Sequence, residues 1–260
     1  MIAQLVQLFR YRLLIQTLVS RELKARYRGS VLGFLWSFVN PLLMLLTYAL
    51  VFTYVMRTGK GSATPYWLFL FVGILPWTWF NAAVVEASGV LMSSGGLIKK
   101  VLFPAEVLPV VTVMANMVHF SLGLPILLFF LILQGKLTLT ALLLPLPIIV
   151  QFIFTLGLAL FVSALTVHFR DVQDILNHVV HLWFWASPVI YVYGEQNVQL
   201  RIALRFNPLT HIMLSYQQIL FWGKFDHWRG LALTAILGLI GVAIGAFVFD
   251  RLRDTLAEEV

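Results

Sequence analysis

The chain has 260 residues, of which 60% are hydrophobic and 11% charged, with a mean hydropathy of +0.91. Ordinary soluble domains carry about 25% charged residues, so this composition excludes a solvated globular surface and points to a polytopic membrane protein. The net charge of +7 and pI near 9.9 would suit a nucleic-acid binder, but basic residues are thin outside the first 30 positions and read as topology signals facing an anionic membrane surface. With no cysteine there is no disulfide, thiolate nucleophile or Cys-ligated metal.

From the N-terminus, residues 4–28 place Leu5, Leu8, Phe9, Leu13, Leu14 and Leu18 at spacings of three and four, with Arg10, Arg12, Arg21, Lys24 and Arg28 at other positions. That pattern predicts a helix lying in the membrane interface. The apolar run behind it continues to Met56, too long for a signal-peptide core of about 7 to 15 residues. Crossing a hydrocarbon core of about 30 Å takes roughly 20 helical residues. The segments 31–56, 66–87, 106–133, 141–167, 174–193 and 229–249 have that length. Only a few residues around "QGKLT" separate the third and fourth, which predicts an antiparallel hairpin. Residues 194–228 mix Arg201, Arg205, His211 and Asp226 with apolar side chains. They are too polar to span and too apolar for a solvated loop, which predicts short re-entrant or surface helices on the outer side.

The expected fold is therefore all-α: six transmembrane helices, an N-terminal amphipathic interface helix, and short gate helices between the fifth and sixth spans. One domain covers 1–260, divided into the interface helix (1–30), spans one to five (31–193), the outer gate region (194–228), and span six with its tail (229–260). Placing both termini in the cytoplasm puts eleven of the 18 basic residues inside, the N-terminal block among them. Arg57, Lys60, Lys136, Arg201, Arg205, Lys224 and Arg229 fall outside. Charges flanking the first span dominate orientation, which sets N-in and C-in.

The chemistry is mostly one of absences. No GxxxxGK[ST] loop is present, and "SSGGLIKK" at 93–100 lacks its strand, spacing and hydroxyl residue, so the chain does not hydrolyse ATP by itself. Between Val107 and Val167 the only charged residue is Lys136, which argues against an ion-coupled carrier. Glu86 and Glu106 read as interfacial anchors or partners of Lys99 and Lys100. His178 and His181 read as structural or cavity-lining groups rather than metal ligands, and His119 as a hydrogen-bond partner of a neighbouring helix. No catalytic set emerges: there is no GxSxG, and the acids and histidines do not gather at one membrane face as a membrane transferase would need.

Aromatic side chains are abundant in "HLWFWASPVIYVY" (181–193) and "LPWTWF" (75–80). They fit either an interfacial belt or a pore lined by rings that stack on sugar C–H faces, and both readings stand. Pro41, Pro76 and Pro188 fall within predicted spans, where they permit kinks. Gly29/Gly33 and Gly241/Gly245 offer close-packing helix faces. In "VHFRDVQDIL" (167–176), Asp171 and Asp174 suit a helix N-terminus, and Phe169 with Arg170 suits either a charged loop tip or a surface that docks a partner.

Taken together, "RELKARYRGSVLGFLWSFVNPLL", "GILPWTWFNAAV", "LIKKVLFPAEVLPV", "TVHFRDVQDIL", "FWASPVIY" and "NPLTHIMLSYQQIL" resemble, in order and over nearly the whole chain, the Wzm-like permeases. These are membrane subunits of bacterial ABC exporters for lipid-linked polysaccharides. The resemblance implies export of an undecaprenyl-type lipid-linked polysaccharide, O-antigen first, with capsule or teichoic acid as alternatives. A small-molecule efflux permease and a membrane transferase are further alternatives. It implies that Arg21, Lys24, Arg26 and Tyr27, together with Lys99, Lys100, Phe103 and Pro104 and with Phe169, Arg170 and Asp171, meet a separate ATPase. It implies that Trp36, Tyr48, Trp183, Trp185 and Tyr191 line the channel and that Asn207, Pro208 and His211 belong to the outer gate. The expected assembly is two copies of this chain with two ATPases, which bind ATP and Mg, in the bacterial inner membrane. The chain itself is expected to carry no cofactor or metal and to meet membrane lipids but no nucleic acid.

Overall fold

The computed structural model describes residues 11–55, 63–98, 105–194 and 197–259, in which every regular element is helical. Helix α1 (Arg12–Arg26) buries Ile15 and Val19 against α4 (Val107–Leu133), with Leu18 and Leu23 half-buried beside them. Leu13, predicted on the buried stripe, is 71% exposed, because the buried face is centred on Ile15. Leu5, Leu8, Phe9 and Arg10 lie outside the described residues, as do Arg57 and Lys60.

After α1 the chain turns at Gly29 and Gly33, whose φ angles are +78° and +50° and whose missing Cβ atoms would meet nothing within 4 Å. These glycines are therefore turn residues in the left-handed region, and the packing face expected of Gly29/Gly33 does not form. Helix α2 (Trp36–Leu50) follows a short 3-10 turn and contains Pro41. Helix α3 (Tyr66–Ser93) contains Pro76 and is the most enclosed element, touching α4, α5 (Pro145–His168), α6 (Asp171–Trp185) and α8 (Pro208–Tyr216). Lipid tails are as apolar as leucine, so inside a bilayer this packing is held by van der Waals contact rather than the hydrophobic effect. Ring pairs contribute to it: Trp79 stacks on Phe120 at 5.1 Å and Phe80 on Phe154 at 6.1 Å, each worth about 0.5–1.5 kcal/mol.

The third and fourth predicted spans form the expected hairpin, closed at Gly135 with φ +62°. Helix α9 (Trp228–Glu259) packs along α5 through a glycine seam. A Cβ on Gly157 would lie 2.7 Å from the Gly241 carbonyl carbon, and one on Gly245 would lie 2.8 Å from Leu160 Cβ. The Gly241/Gly245 face is thus spent inside the chain and is not free for a second copy.

Among the described residues, five helical stretches are long and apolar enough to cross a membrane: Gly33–Leu50, Tyr66–Ser93, Val107–Leu133, Leu139–His168 and Trp228–Arg251. They correspond to predicted spans one, two, three, four and six. The fifth, expected at 174–193, is instead α6, which ends at Trp185 after 15 residues, or about 22 Å. The helix stops because Ser187 precedes Pro188, a position that disfavours helical backbone. Two short helices, α7 (Val198–Phe206) and α8, then occupy the predicted gate region, followed by a π turn at Gln217–Trp222.

Candidate functional site

At one end of the bundle, the last turn of α1 is bound to two spans. Arg26 Nη2 donates to Glu86 Oε2 at 2.7 Å and Nη1 to Asn116 Oδ1 at 3.2 Å, while Asn116 Nδ2 donates to the same Glu86 oxygen at 2.7 Å. Tyr27 Oη meets His119 Nδ1 at 3.3 Å, so the expected inter-helix bond of His119 is present. Among the described residues, the partner of Glu86 is Arg26. Lys99 and Lys100, with Phe103 and Pro104, lie outside the described residues. Arg26 and Tyr27 thus turn inward, whereas Arg21 and Lys24 stay exposed. A cavity of about 320 Å³ lies beside this network, lined also by Ser37, Asn40 and Pro41. Neither Asn116 nor Ser37 is marked in the sequence by charge. The signal for them is an uncharged polar residue isolated in an apolar run.

The turn after α5 lies at the same end, where Gly89 of α3 faces the Gln173 side chain. Phe169 is 62% exposed, with Arg170 and Asp171 exposed beside it. The turn closes on itself through Val172 N to Phe169 O at 3.0 Å and Gln173 N to Arg170 O at 3.3 Å. Asp171 and Asp174 sit in the first turn of α6, where the helix dipole favours negative charge.

Helix α6 buries only Val180. Its open face carries Asp174, Asn177, His178 and His181 together with Val179, Leu182 and Trp185. Polar side chains mixed into an exposed apolar face suit water or another protein surface better than hydrocarbon. The five aromatic residues expected to line a channel divide here. Trp185 is 56% exposed, and Tyr191 donates to its carbonyl at 3.2 Å. Trp36 donates to Ser30 Oγ at 2.8 Å, and Tyr48 lies beside Phe52 at 6.3 Å. Trp183 instead packs its ring on Phe80 and Phe154 and donates to Asn207 Oδ1 at 2.9 Å.

The opposite end holds Asn207, Pro208 and His211. The Asn207 amide donates to Ala186 O at 2.7 Å and Ser187 Oγ at 2.9 Å, and its oxygen also accepts from Leu209 N at 3.0 Å. One side chain therefore caps α8 and satisfies the end of α6, while Pro208 opens α8 at the first helical position. His211 is 8% exposed. Its Nε2 donates to the Arg205 carbonyl at 3.0 Å, which leaves Nδ1 to accept from His227 Nε2 at 2.6 Å. Gly230 makes the pair possible, since a Cβ there would lie 2.5 Å from both ring nitrogens. Burial lowers the pKa of both rings. The Arg205 carbonyl partly offsets this at His211, and His211 adds to it at His227.

Residues 13–221 match the ABC-2 type transporter family, and the chain belongs to that family. It is 38% identical, over the full length of both chains, to the O-antigen export system permease protein RfbA of Myxococcus xanthus. It is 31% identical to the protein of the same name from Klebsiella pneumoniae, over 94% of each chain. With the polysialic acid transport protein KpsM of Escherichia coli it shares 21% identity over 93% of this chain and 94% of the other. Family membership makes it a multi-pass membrane permease and implies an ABC ATPase as its partner.

Proposed function

We propose that this chain is the permease subunit of an ATP-driven O-antigen exporter. The end-to-end likeness to O-antigen export permeases carries the reading, and the open polar face of α6 supports it. In the proposed assembly two copies bring their α2 and α6 faces together around a passage through the inner membrane, with both termini in the cytoplasm. The open surfaces of α2 and α6 include Asn40, His178, His181 and Trp185. Two ATPases, holding ATP and Mg, dock on Arg21, Lys24 and the Phe169–Asp171 turn, with the 99–104 segment beside them. Their closure moves α1, and the Arg26–Glu86–Asn116 network carries that motion into α3 and α4.

The cargo is an undecaprenyl-type lipid-linked polysaccharide whose glycan slides past Trp36, Tyr48, Trp185 and Tyr191. A long polymer needs a wall that binds weakly at many places, because one tight site would stall it. Trp183 acts in this scheme through Asn207, as a positioning residue of the outer gate. Capsular polysaccharide is the second reading, favoured by the likeness to the polysialic acid transport protein.

The test is deletion of the gene followed by complementation. Surface O-antigen should vanish on deletion and return with the wild-type chain. Trp185→Ala should restore it only in part. Normal surface O-antigen in the deletion strain would overturn the proposal.

A further inference from the structure

A second cavity, of about 370 Å³, opens at the outer-gate end among Tyr193, Gln217, Gln218, Trp222, Lys224 and His227. Its volume falls at the lower end of the ~300–1,000 Å³ typical of small-molecule sites. The floor is tied down: Trp222 lies 6.4 Å from Phe69, and Thr140 Oγ1 donates to the Ile219 carbonyl of the π turn at 2.8 Å.

The hydrogen-bonding polarity of the wall follows from its neighbours. Gln218 Oε1 accepts the backbone N–H groups of Asp226 and His227, both at 3.1 Å, so its carboxamide orientation is fixed. Its Nε2 is left as a donor without a partner among the described residues. Gln217 Nε2 donates to the Pro188 carbonyl at 2.7 Å, which leaves its Oε1 as an acceptor. His211 donates to the Arg205 carbonyl, so His227 must donate through Nε2, and its Nδ1 carries a lone pair. Beside two aromatic rings the cavity therefore offers one amide donor and two acceptors, with the Lys224 ammonium at its edge. The one cation among its described lining residues, Lys224, is paired with Asp226 at 3.8 Å.

Closely spaced hydroxyls, each able to donate and accept, beside an apolar C–H face are the surface of a sugar ring. An acidic sugar would call for an unpaired cation. We infer that this cavity is a saccharide subsite at the outer gate that takes one neutral sugar unit. The role assigned to it, a holding point for glycan leaving the passage, rests on the exporter reading above.

Protonation at His227 Nδ1 would replace an acceptor with a donor, so binding should weaken as that ring titrates. Among the described residues, the titratable and charged groups nearest His227 are His211 from α8 and the Lys224–Asp226 pair in the preceding turn, while Arg229 turns to the Trp228 ring.

The test is saturation-transfer NMR on the purified full chain in detergent. The probes are methyl glycosides of glucose, galactose, mannose and N-acetylglucosamine, with the methyl glycoside of glucuronic acid as the charged comparison. Transfer should reach at least one neutral glycoside, with the glucuronide weaker. Trp222→Leu and Gln218→Leu should each weaken it by at least about threefold, the equivalent of one ring contact or hydrogen bond. Trp228→Leu, outside the cavity, should leave it unchanged. Acidifying the wild-type chain should weaken transfer without any substitution, which guards against variants that fold poorly. Absence of transfer in the wild type, its retention in both cavity variants, or preference for the glucuronide would overturn the subsite. The readout needs neither ATP nor export, so it fails independently of the exporter reading.

Discussion

The indole N–H of Trp183 donates to Asn207 Oδ1 at 2.9 Å, and the Asn207 amide donates back to Ala186 O and Ser187 Oγ. This exchange joins the end of α6 to the start of α8. Replacing Asn207 by Ala leaves the Trp183 N–H and the Ala186 carbonyl unpaired, at about 1–3 kcal/mol for each group that water does not reach. Asn207→Ala should therefore lower the thermal midpoint more than Asn207→Asp, which keeps the acceptor oxygens. Trp183→Phe keeps the ring against Phe80 and Phe154 and should cost only about 1 kcal/mol. Thermal unfolding in detergent gives the order, and equal midpoints for the two Asn207 variants would refute it.

The Arg26–Glu86 pair is only partly shielded, with side chains 27% and 41% exposed. Exposed pairs contribute about 0.2–1 kcal/mol in water, but Asn116 binds both partners here. Arg26→Gln and Glu86→Gln should be non-additive, with a coupling of about 0.5–3 kcal/mol in a double-mutant cycle on thermal unfolding. Strict additivity would mean that α1 is not held by this network.

Two glycines of the α5–α9 seam should behave differently. A Cβ on Gly157 meets backbone at 2.7 Å, whereas one on Gly241 finds its nearest neighbour at 3.7 Å. Gly157→Ala should cost about 1–3 kcal/mol through overpacking, and Gly241→Ala should be close to neutral. Melting temperatures of the purified variants decide this, and a reversed order would contradict the seam.

The His211–His227 pair imposes a sign on the pH dependence. Both folded-state pKa values lie below 6.5, so the unfolded chain binds more protons in the window beneath that value. Stability contributed by the neutral pair is present above 6.5 and is lost as pH falls through the lower folded values. The thermal midpoint of the wild type should drop between pH 7.5 and pH 5, more steeply than that of His227→Gln. Parallel pH profiles would show that the pair does not titrate on unfolding.

Much of the fold was legible in the residues. Leu and Val runs located five of the six predicted spans, and the spacing of apolar residues revealed the N-terminal helix, although its buried face centres on Ile15. The fifth span is the least legible, because "HLWFWASPVIYVY" is apolar throughout and hydropathy does not register that Asn207, some twenty residues on, receives the helix end at Ala186 and Ser187. Glu86 reads in sequence as an interfacial anchor or a partner of Lys99 and Lys100, and nothing in the chain order points to Arg26, the partner the structure supplies from 60 residues away. Gly241 and Gly245 carried a close-packing signal, but the signal does not say which helix fills it.

By itself the sequence determined that the chain lives in a membrane, where its helices lie, and which family it resembles. Those properties follow from composition, period and local order, which are one-dimensional. Only the tertiary structure decided that α6 stops at Trp185, that Trp183 turns inward while Trp185 stays open, and that Gln217, Gln218, Trp222 and His227 enclose one cavity. Such outcomes depend on which distant donor, acceptor or small residue each side chain meets, and chain proximity does not encode that choice.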